Sequence, residues 1–161
     1  MDEILEILTN DARITPEEIA KLTGKTPAAI RKAISKYEKD GTIVKYKTVV
    51  DYDKIRDNSS FVRALIEVSI DPQKDVGFDN VAERIYSFPE VSSCYLVSGD
   101  YDLLVVVEGE SLQTVSNFVA SKLSPMGGIR STKTHFMLKK YKEDGHILRK
   151  SKGPKRLSIS Y

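Results

Sequence analysis

Two helix starts stand almost back to back near the N-terminus, and they leave little freedom in what this chain can fold into. The first is Thr15-Pro16-Glu17-Glu18. Thr15 can cap, Pro16 suits the first helical position, and Glu18 completes a capping box. Gly24 supplies the stop, and Thr26-Pro27 repeats the start signal at once. The spacing predicts a second helix ending at Gly24 and a third running to about Lys39, where Asp40-Gly41 ends it. Before them, Ile4, Leu5, Ile7 and Leu8 predict a first helix over about residues 2–9, broken by Asn10-Asp11-Ala12-Arg13. Three short helices with a tight glycine turn between the second and third form a helix-turn-helix arrangement.

The faces of these helices carry the functional expectation. In the second helix, Ile19, Ala20 and Leu22 are expected to be buried. In the third, Ile30, Ala33, Ile34 and Tyr37 share one face, and Ala28, Arg31, Lys32, Ser35, Lys36 and Lys39 the other. Small side chains let a helix backbone approach the major groove, and Lys or Arg reach phosphates and guanine edges. The expected contacts to double-stranded DNA are Thr26, Ala28, Ala29, Arg31, Lys32 and Lys36, with Arg31 and Lys32 foremost. The competing reading is that this basic face is merely solvated. Ile43 to Val50 reads as a strand, a wing or connector with Lys45 and Lys47 on one side.

Charge must be divided before it informs. The net charge is +2 over 161 residues. Residues 1–52 are net 0, residues 53–138 net −4 and residues 139–161 net +6. Within residues 25–47 there are 7 basic and 2 acidic residues, a local patch that points to nucleic acid. Hydrophobic residues make up 40% and charged residues 30%, an ordinary globular mix. The acidic start Met1-Asp2-Glu3 predicts no signal peptide, and Leu103 to Val107 is too short an apolar run to span a membrane. One cysteine, Cys94, forbids an internal disulfide, and two histidines argue against zinc. A cytoplasmic setting is expected, without metal or cofactor.

After Asp51 to Ser60, which reads as a linker, the period changes. Strands are expected at Phe61 to Ile70, Val91 to Ser98, Tyr101 to Glu108 and Ile129 to Leu138. Helices are expected at Phe78 to Phe88 and on the face of Leu112, Val115, Phe118, Val119 and Leu123. Gly99-Asp100 suits a two-residue hairpin. The order β-α-β-β-α-β is a ferredoxin-like unit with two helices on one face of an antiparallel sheet. The other face needs a cover, and a homodimer supplies one. The fold class is therefore α+β: a three-helix, winged helix-turn-helix domain over 1–50, a linker over 51–60, a βαββαβ oligomerisation domain over 61–140, to which the resemblance described next adds effector sensing, and a basic tail over 141–161.

The chain resembles the Lrp/AsnC family of regulators. Asp11-Ala12-Arg13-Ile14 with Glu18-Ile19-Ala20 is similar to that family's first-to-second helix junction. Phe88-Pro89-Glu90-Val91 resembles its start of the second strand. Val97 to Leu104 looks like its Gly-x-Tyr-Asp hairpin, and Ile129 to Thr134 like its fourth strand. The matches cover residues 1 to about 142 in family order. Helix three, with Thr26-Pro27-Ala28-Ala29-Ile30, departs from the more usual Ser- or Thr-rich turn, and the basic tail is longer. The resemblance implies dimers that assemble to tetramers or octamers, and an amino-acid effector near Gly99, Asp100, Tyr101, Asp102, Thr132 and Thr134.

The chemistry of such a site can be stated. An amino acid needs an anion for its ammonium and donors for its carboxylate. Asp100 or Asp102 could meet the first, and the threonine hydroxyls the second. The bland alternative is a tight turn and ordinary strand threonines. Asp100 and Asp102 as a catalytic pair lack a nucleophile and a matched base, so no enzyme is expected. Cys94 and His135 read as structural, and His146 has no metal-binding neighbours. In the tail, Arg149, Lys150, Lys152, Lys155 and Arg156 could touch phosphate or be solvated, and Arg156 to Tyr161 could add a short strand. The leading expectation is a sequence-specific, effector-modulated transcriptional regulator. The alternatives are an architectural DNA-organising protein without an effector, and an amino-acid-binding subunit of an enzyme.

Overall fold

The computed structural model describes residues 2–55, 61–71 and 77–148. It divides into two units, Met1–Val50 and Asp51–Tyr161. The basic tail residues from Arg149 onward, the expected terminal strand at Arg156 to Tyr161, and linker residues 56–60 lie outside the described residues.

The first unit holds α1 (Glu3–Asn10), α2 (Pro16–Thr23) and α3 (Pro27–Lys39). Each starts on a side-chain cap. Asp2 Oδ1 accepts from the Ile4 N–H at 2.9 Å. This bond, with one from Tyr37, holds the Asp2 carboxyl below its usual range. At α2 the capping box is complete: Thr15 Oγ1 accepts from the Glu18 N–H at 3.3 Å, and Glu18 Oε2 accepts from the Thr15 N–H at 2.8 Å. Thr26 Oγ1 caps α3 through the Ala29 N–H at 3.3 Å. Gly24 ends α2 at φ 68°, a conformation that glycine adopts without a Cβ penalty. Ile4, Leu8, Ile19, Ala20 and Ile30 form the buried core, with Ile14, Ile34 and Tyr37 packed against it.

Two expectations for this unit need correction. Leu22 is 66% exposed. At 100° per residue it lies about 110° from the midpoint of Ile19 and Ala20, off the short buried stripe. Residues 43–50 do not form a strand. The Ile43 N–H donates to Tyr37 O at 2.9 Å, which folds the chain back on α3, and the segment joins no ladder among the described residues.

The second unit opens with a single 3-10 turn at Tyr52–Lys54. It then forms β1 (Val62–Ile70), α4 (Phe78–Tyr86), β2 (Val91–Leu96), β3 (Leu103–Gly109), α5 (Leu112–Phe118) and β4 (Ile129–Phe136). The strands pair antiparallel in the order β2-β3-β1-β4. Ile66 sits opposite Val105 on one side and Thr134 on the other. Alternation puts Ala64, Ile66 and Val68 on the face that Val81 and Ile85 of α4 and Val115 and Phe118 of α5 cover. The opposite face presents Arg63, Leu65 and Glu67 of β1 beside Leu104, Val106 and Glu108 of β3. No helix among the described residues is long and apolar enough to cross a membrane.

Three details differ from the sequence expectation. The β2–β3 connection is not a two-residue hairpin. The strands stop at Leu96 and resume at Leu103, and the Val97 N–H donates to Asp102 O at 2.9 Å, leaving a four-residue loop at 98–101. The helix after β3 runs from α5 into a π-helical turn at Val119–Leu123. Its Leu112 is exposed, because Val115, Phe118 and Leu123 already fill the space against the sheet. Finally, Lys142–Glu143 (β5) and His146–Ile147 (β6) form a small hairpin that the sequence reading does not anticipate. Its turn residues Asp144 and Gly145 have φ 44° and 82°, the mirror-image turn that matches strand twist. Arg63 holds the hairpin down: its Nη1 donates to Glu143 Oε1 at 2.9 Å, and its Nε to Glu108 Oε1 at 2.7 Å.

Candidate nucleic-acid interface and effector site

In α3 the core pins one side and the caps fix the start, so the remaining face is set by the helix period. Thr26, Ala28, Ala29, Arg31, Lys32 and Lys36 are all exposed. Ile30, on the other side, is fully buried. The six expected residues therefore lie on accessible surface of one helix, from its N-cap Thr26 to Lys36 in its last turn. Thr26 is already engaged as a cap, but its hydroxyl hydrogen remains available to an acceptor.

The cations split around the helix. At 100° per residue Arg31 lies on one flank, and Lys32 and Lys36 lie about 100° and 140° away from it. The Arg31 Nη2 donates to Glu17 Oε1, an ion pair that joins α3 to the first turn of α2. Lys32 and Lys36 form no such pair with a described residue. In the sequence, Glu17 stands only as part of the Thr15-Pro16-Glu17-Glu18 helix start. The spacing of two helix starts shows that α2 and α3 are neighbours, but not which side chains cross between them.

At the second site the structure commits one expected ligand to another task. Asp102 Oδ2 accepts from the Ile70 N–H at 2.7 Å, and the Asp102 N–H donates to Val68 O at 3.0 Å. Asp102 thus stitches the β2–β3 loop to the end of β1, where the pairing with β4 shifts between Ser69 and Ile70. Gly99 and Asp100 are exposed, and Tyr101 is half-buried. Thr132 faces the helix-covered side opposite Val68, and its hydroxyl lies 3.1 Å from Ser124 Oγ. Asp102 and Thr132 flank the same end of β1, two strand spacings or about 10 Å apart. Thr134 sits two pairs further along on the same face, opposite Ile66. Asp100 is left as the outward carboxylate of the loop. Ser124, which follows the π-helical turn, is a polar neighbour of Thr132 that sequence spacing does not reveal.

The remaining singled-out residues have structural surroundings. Cys94 is half-buried opposite Val105, and burial pushes its thiol up. His135 Nε2 is 2.9 Å from Glu67 Oε1 on the face without helices. Glu90 takes an ion pair from Lys122, which holds its carboxyl below the usual range, and Lys122 lies over Phe88 and Phe118. Among the described residues no group of three His, Cys, Asp or Glu could hold a metal ion.

Comparison with known proteins agrees with both halves. Residues 3–44 match the family described as winged helix-turn-helix DNA-binding, and residues 63–147 match the Lrp/AsnC ligand binding domain. The chain is 46% identical over 158 residues to YugG of Bacillus subtilis, an uncharacterized HTH-type transcriptional regulator, covering 98% of this chain and 95% of that one. It is 29% identical over 132 residues to the regulatory protein AsnC of Haemophilus influenzae, covering 82% and 85%. Among solved structures, transcriptional regulator NMB0573 of Neisseria meningitidis in complex with L-Met superposes with a TM-score of 0.68 at 26% identity, covering 88% of this chain and 89% of that one. AsnC of E. coli does so with a TM-score of 0.64 at 25% identity, covering 86% and 89%. The chain belongs to the Lrp/AsnC family and is a DNA-binding transcriptional regulator, not an enzyme.

Proposed function

We propose that α3 enters the major groove of a specific operator, and that an amino acid or related metabolite changes the protein's assembly or its affinity for DNA. The observation that carries the first half is the exposed surface of α3 away from buried Ile30, with Arg31 on one flank and Lys32 and Lys36 around from it. Ala28 and Ala29 permit close approach, and Arg31, Lys32 and Lys36 supply base or phosphate contacts with Thr26 at the helix start. Residues 1–50 then serve as the DNA-binding domain, 51–60 as the linker, 61–140 as the oligomerisation and sensing domain, and 141–161 as a basic tail. A regulator of this kind works in the cytoplasm, where the DNA is.

The effector site is proposed at Gly99, Asp100, Tyr101, Asp102, Thr132 and Thr134. Asp100 meets the ammonium, Asp102 fixes the loop, and the threonine hydroxyls face the carboxylate. The L-Met complex of the Neisseria relative supports an amino acid as the class. The face carrying Leu65, Leu104 and Val106 supports a homodimer, which suits two half-sites about one helical turn apart, and tetramers or octamers would build on it.

The test is a titration of duplex DNA from upstream of the protein's own gene, at fixed salt, with and without the twenty amino acids. Saturable binding well above that to a scrambled duplex, altered by the pool, is expected. Arg31→Ala and Lys32→Ala should each weaken it without unfolding the protein, by roughly 1–3 kcal/mol where the side chain reads a base. Unchanged affinity in both variants would return this face to solvent. Binding blind to sequence and amino acids would mean an architectural protein instead.

A further inference from the structure

We propose that Glu17 is a specificity-determining residue of DNA recognition: it positions the Arg31 guanidinium and cancels its charge, so that Arg31 rewards a matching base but not a bare phosphate. The inference rests on the reading that α3 contacts DNA.

Three observations converge on it. Glu17 and Glu18 both stand in the first turn of α2, but only one is committed within that helix. Glu18 accepts from the Thr15 N–H and hydroxyl, which keep its carboxyl below the usual range. Glu17 instead crosses to α3 and pairs with Arg31. The first turn of α3 contains no acidic residue, so the carboxylate that pairs with Arg31 comes from the neighbouring helix. Finally, Arg31 stands on the flank away from Lys32 and Lys36, which carry no comparable partner among the described residues.

The physical consequence follows from how the two kinds of DNA contact differ. Half-exposed pairs like this one add little to folding stability. At a polyanion the same pair matters through charge. A lone arginine gains from any phosphate, by releasing counterions, whatever the sequence. An arginine bridged to a carboxylate carries no net local charge and loses that gain. Glu17 engages Nη2, so other N–H groups of the fork remain for an acceptor pair on a base edge. The guanidinium is also held in one orientation, as two-bond recognition of a guanine edge requires. Lys32 and Lys36 then supply the sequence-blind attraction, and Arg31 discriminates.

The experiment measures binding of the full chain and its Glu17→Gln, Arg31→Ala and double variants to two probes across a salt series. The probes are the duplex from upstream of its own gene and a scrambled duplex of equal length. Circular dichroism confirms helix content. Glu17→Gln should tighten scrambled binding several-fold, steepen the salt slope by about 1, and narrow the ratio between the probes. The effect should vanish in the Arg31→Ala background. If Arg31→Ala weakens upstream binding while Glu17→Gln leaves slope and ratio unchanged, Glu17 has no such role and the reading of α3 stands. An effect of Glu17→Gln that persists without Arg31 overturns the proposal too, since the carboxylate would then act on phosphate directly. If Arg31→Ala changes nothing on either probe, the DNA reading of Arg31 falls and this inference falls with it.

Discussion

The two units of this chain reach stability by different routes. Among the described residues, the helical unit buries five apolar side chains, Ile4, Leu8, Ile19, Ala20 and Ile30, whereas the sheet unit buries thirteen around Ile66, Val105 and Phe118. The small core places more weight on local devices, and each of the three helices there starts on a side-chain cap. The sheet unit relies on the shared face between its strands and helices. Surface in the helical unit is thereby left for recognition, at the cost of little reserve against core damage.

The largest expected effect tests that difference in reserve. Ile30→Ala should cost about 2–5 kcal/mol, enough to open a unit with so few core residues. Hydrogen exchange should then show lost protection across 3–39 and retained protection across 62–136. Equal loss in both regions would mean that the two units fold as one. Asp102→Ala comes next. It leaves the Ile70 N–H without its acceptor and should cost about 1–3 kcal/mol by urea unfolding, with Asp102→Asn recovering part because it keeps an acceptor oxygen. A loop residue would then count like a core residue in the sheet unit. Thr15→Ala should destabilise the helical unit by about 1 kcal/mol, and a cap of no measurable value would remove the contrast.

The smallest effect is acid opening of the β5–β6 hairpin. Burial raises the Glu143 carboxyl, but hydrogen bonds from Lys140 and Arg63 outweigh it, so its value in the folded state lies below the usual 4.5. A depressed carboxylate contributes stability that is full above its unfolded value and is lost as pH falls through the folded one. Protection of amides 142–147, corrected for intrinsic exchange, should hold at pH 6 and decline below about pH 4.5 before the β1–β4 ladder does. Arg63→Ala should weaken that pH dependence, and adding Lys140→Ala should remove it.

The helix starts were legible because capping chemistry is local: Thr15, Glu18 and Thr26 act within a few residues of themselves. The order of strands and helices was legible because burial imposes its period on the sequence. Residues 43–50 misled because an alternating, strand-like run still needs a ladder to join. Gly99-Asp100 misled because a turn signal gives a position but not a loop length, and Asp102 lengthens this loop by closing it onto Val97 and β1. The hairpin at 142–147 carried its own signal, Asp144-Gly145, within a basic stretch that drew attention to charge instead. At the candidate sites, the exposed α3 row followed from periodicity alone. The pairs Glu17–Arg31 and Ser124–Thr132 join separate elements, and no spacing rule identifies partners across a fold.

Arg63 lies at the start of β1 and Glu143 near the end of the described chain, yet they are held 2.9 Å apart. The first strand of the sheet and the β5–β6 hairpin are therefore fastened by one buckle. A pull between residue 62 and residue 147 would load this clamp first and spare the strand ladders behind it. The same closeness makes residues 63–143 a natural ring: a short splice could join these two points, and the chain could be cut open at exposed Gly99 and Asp100 instead.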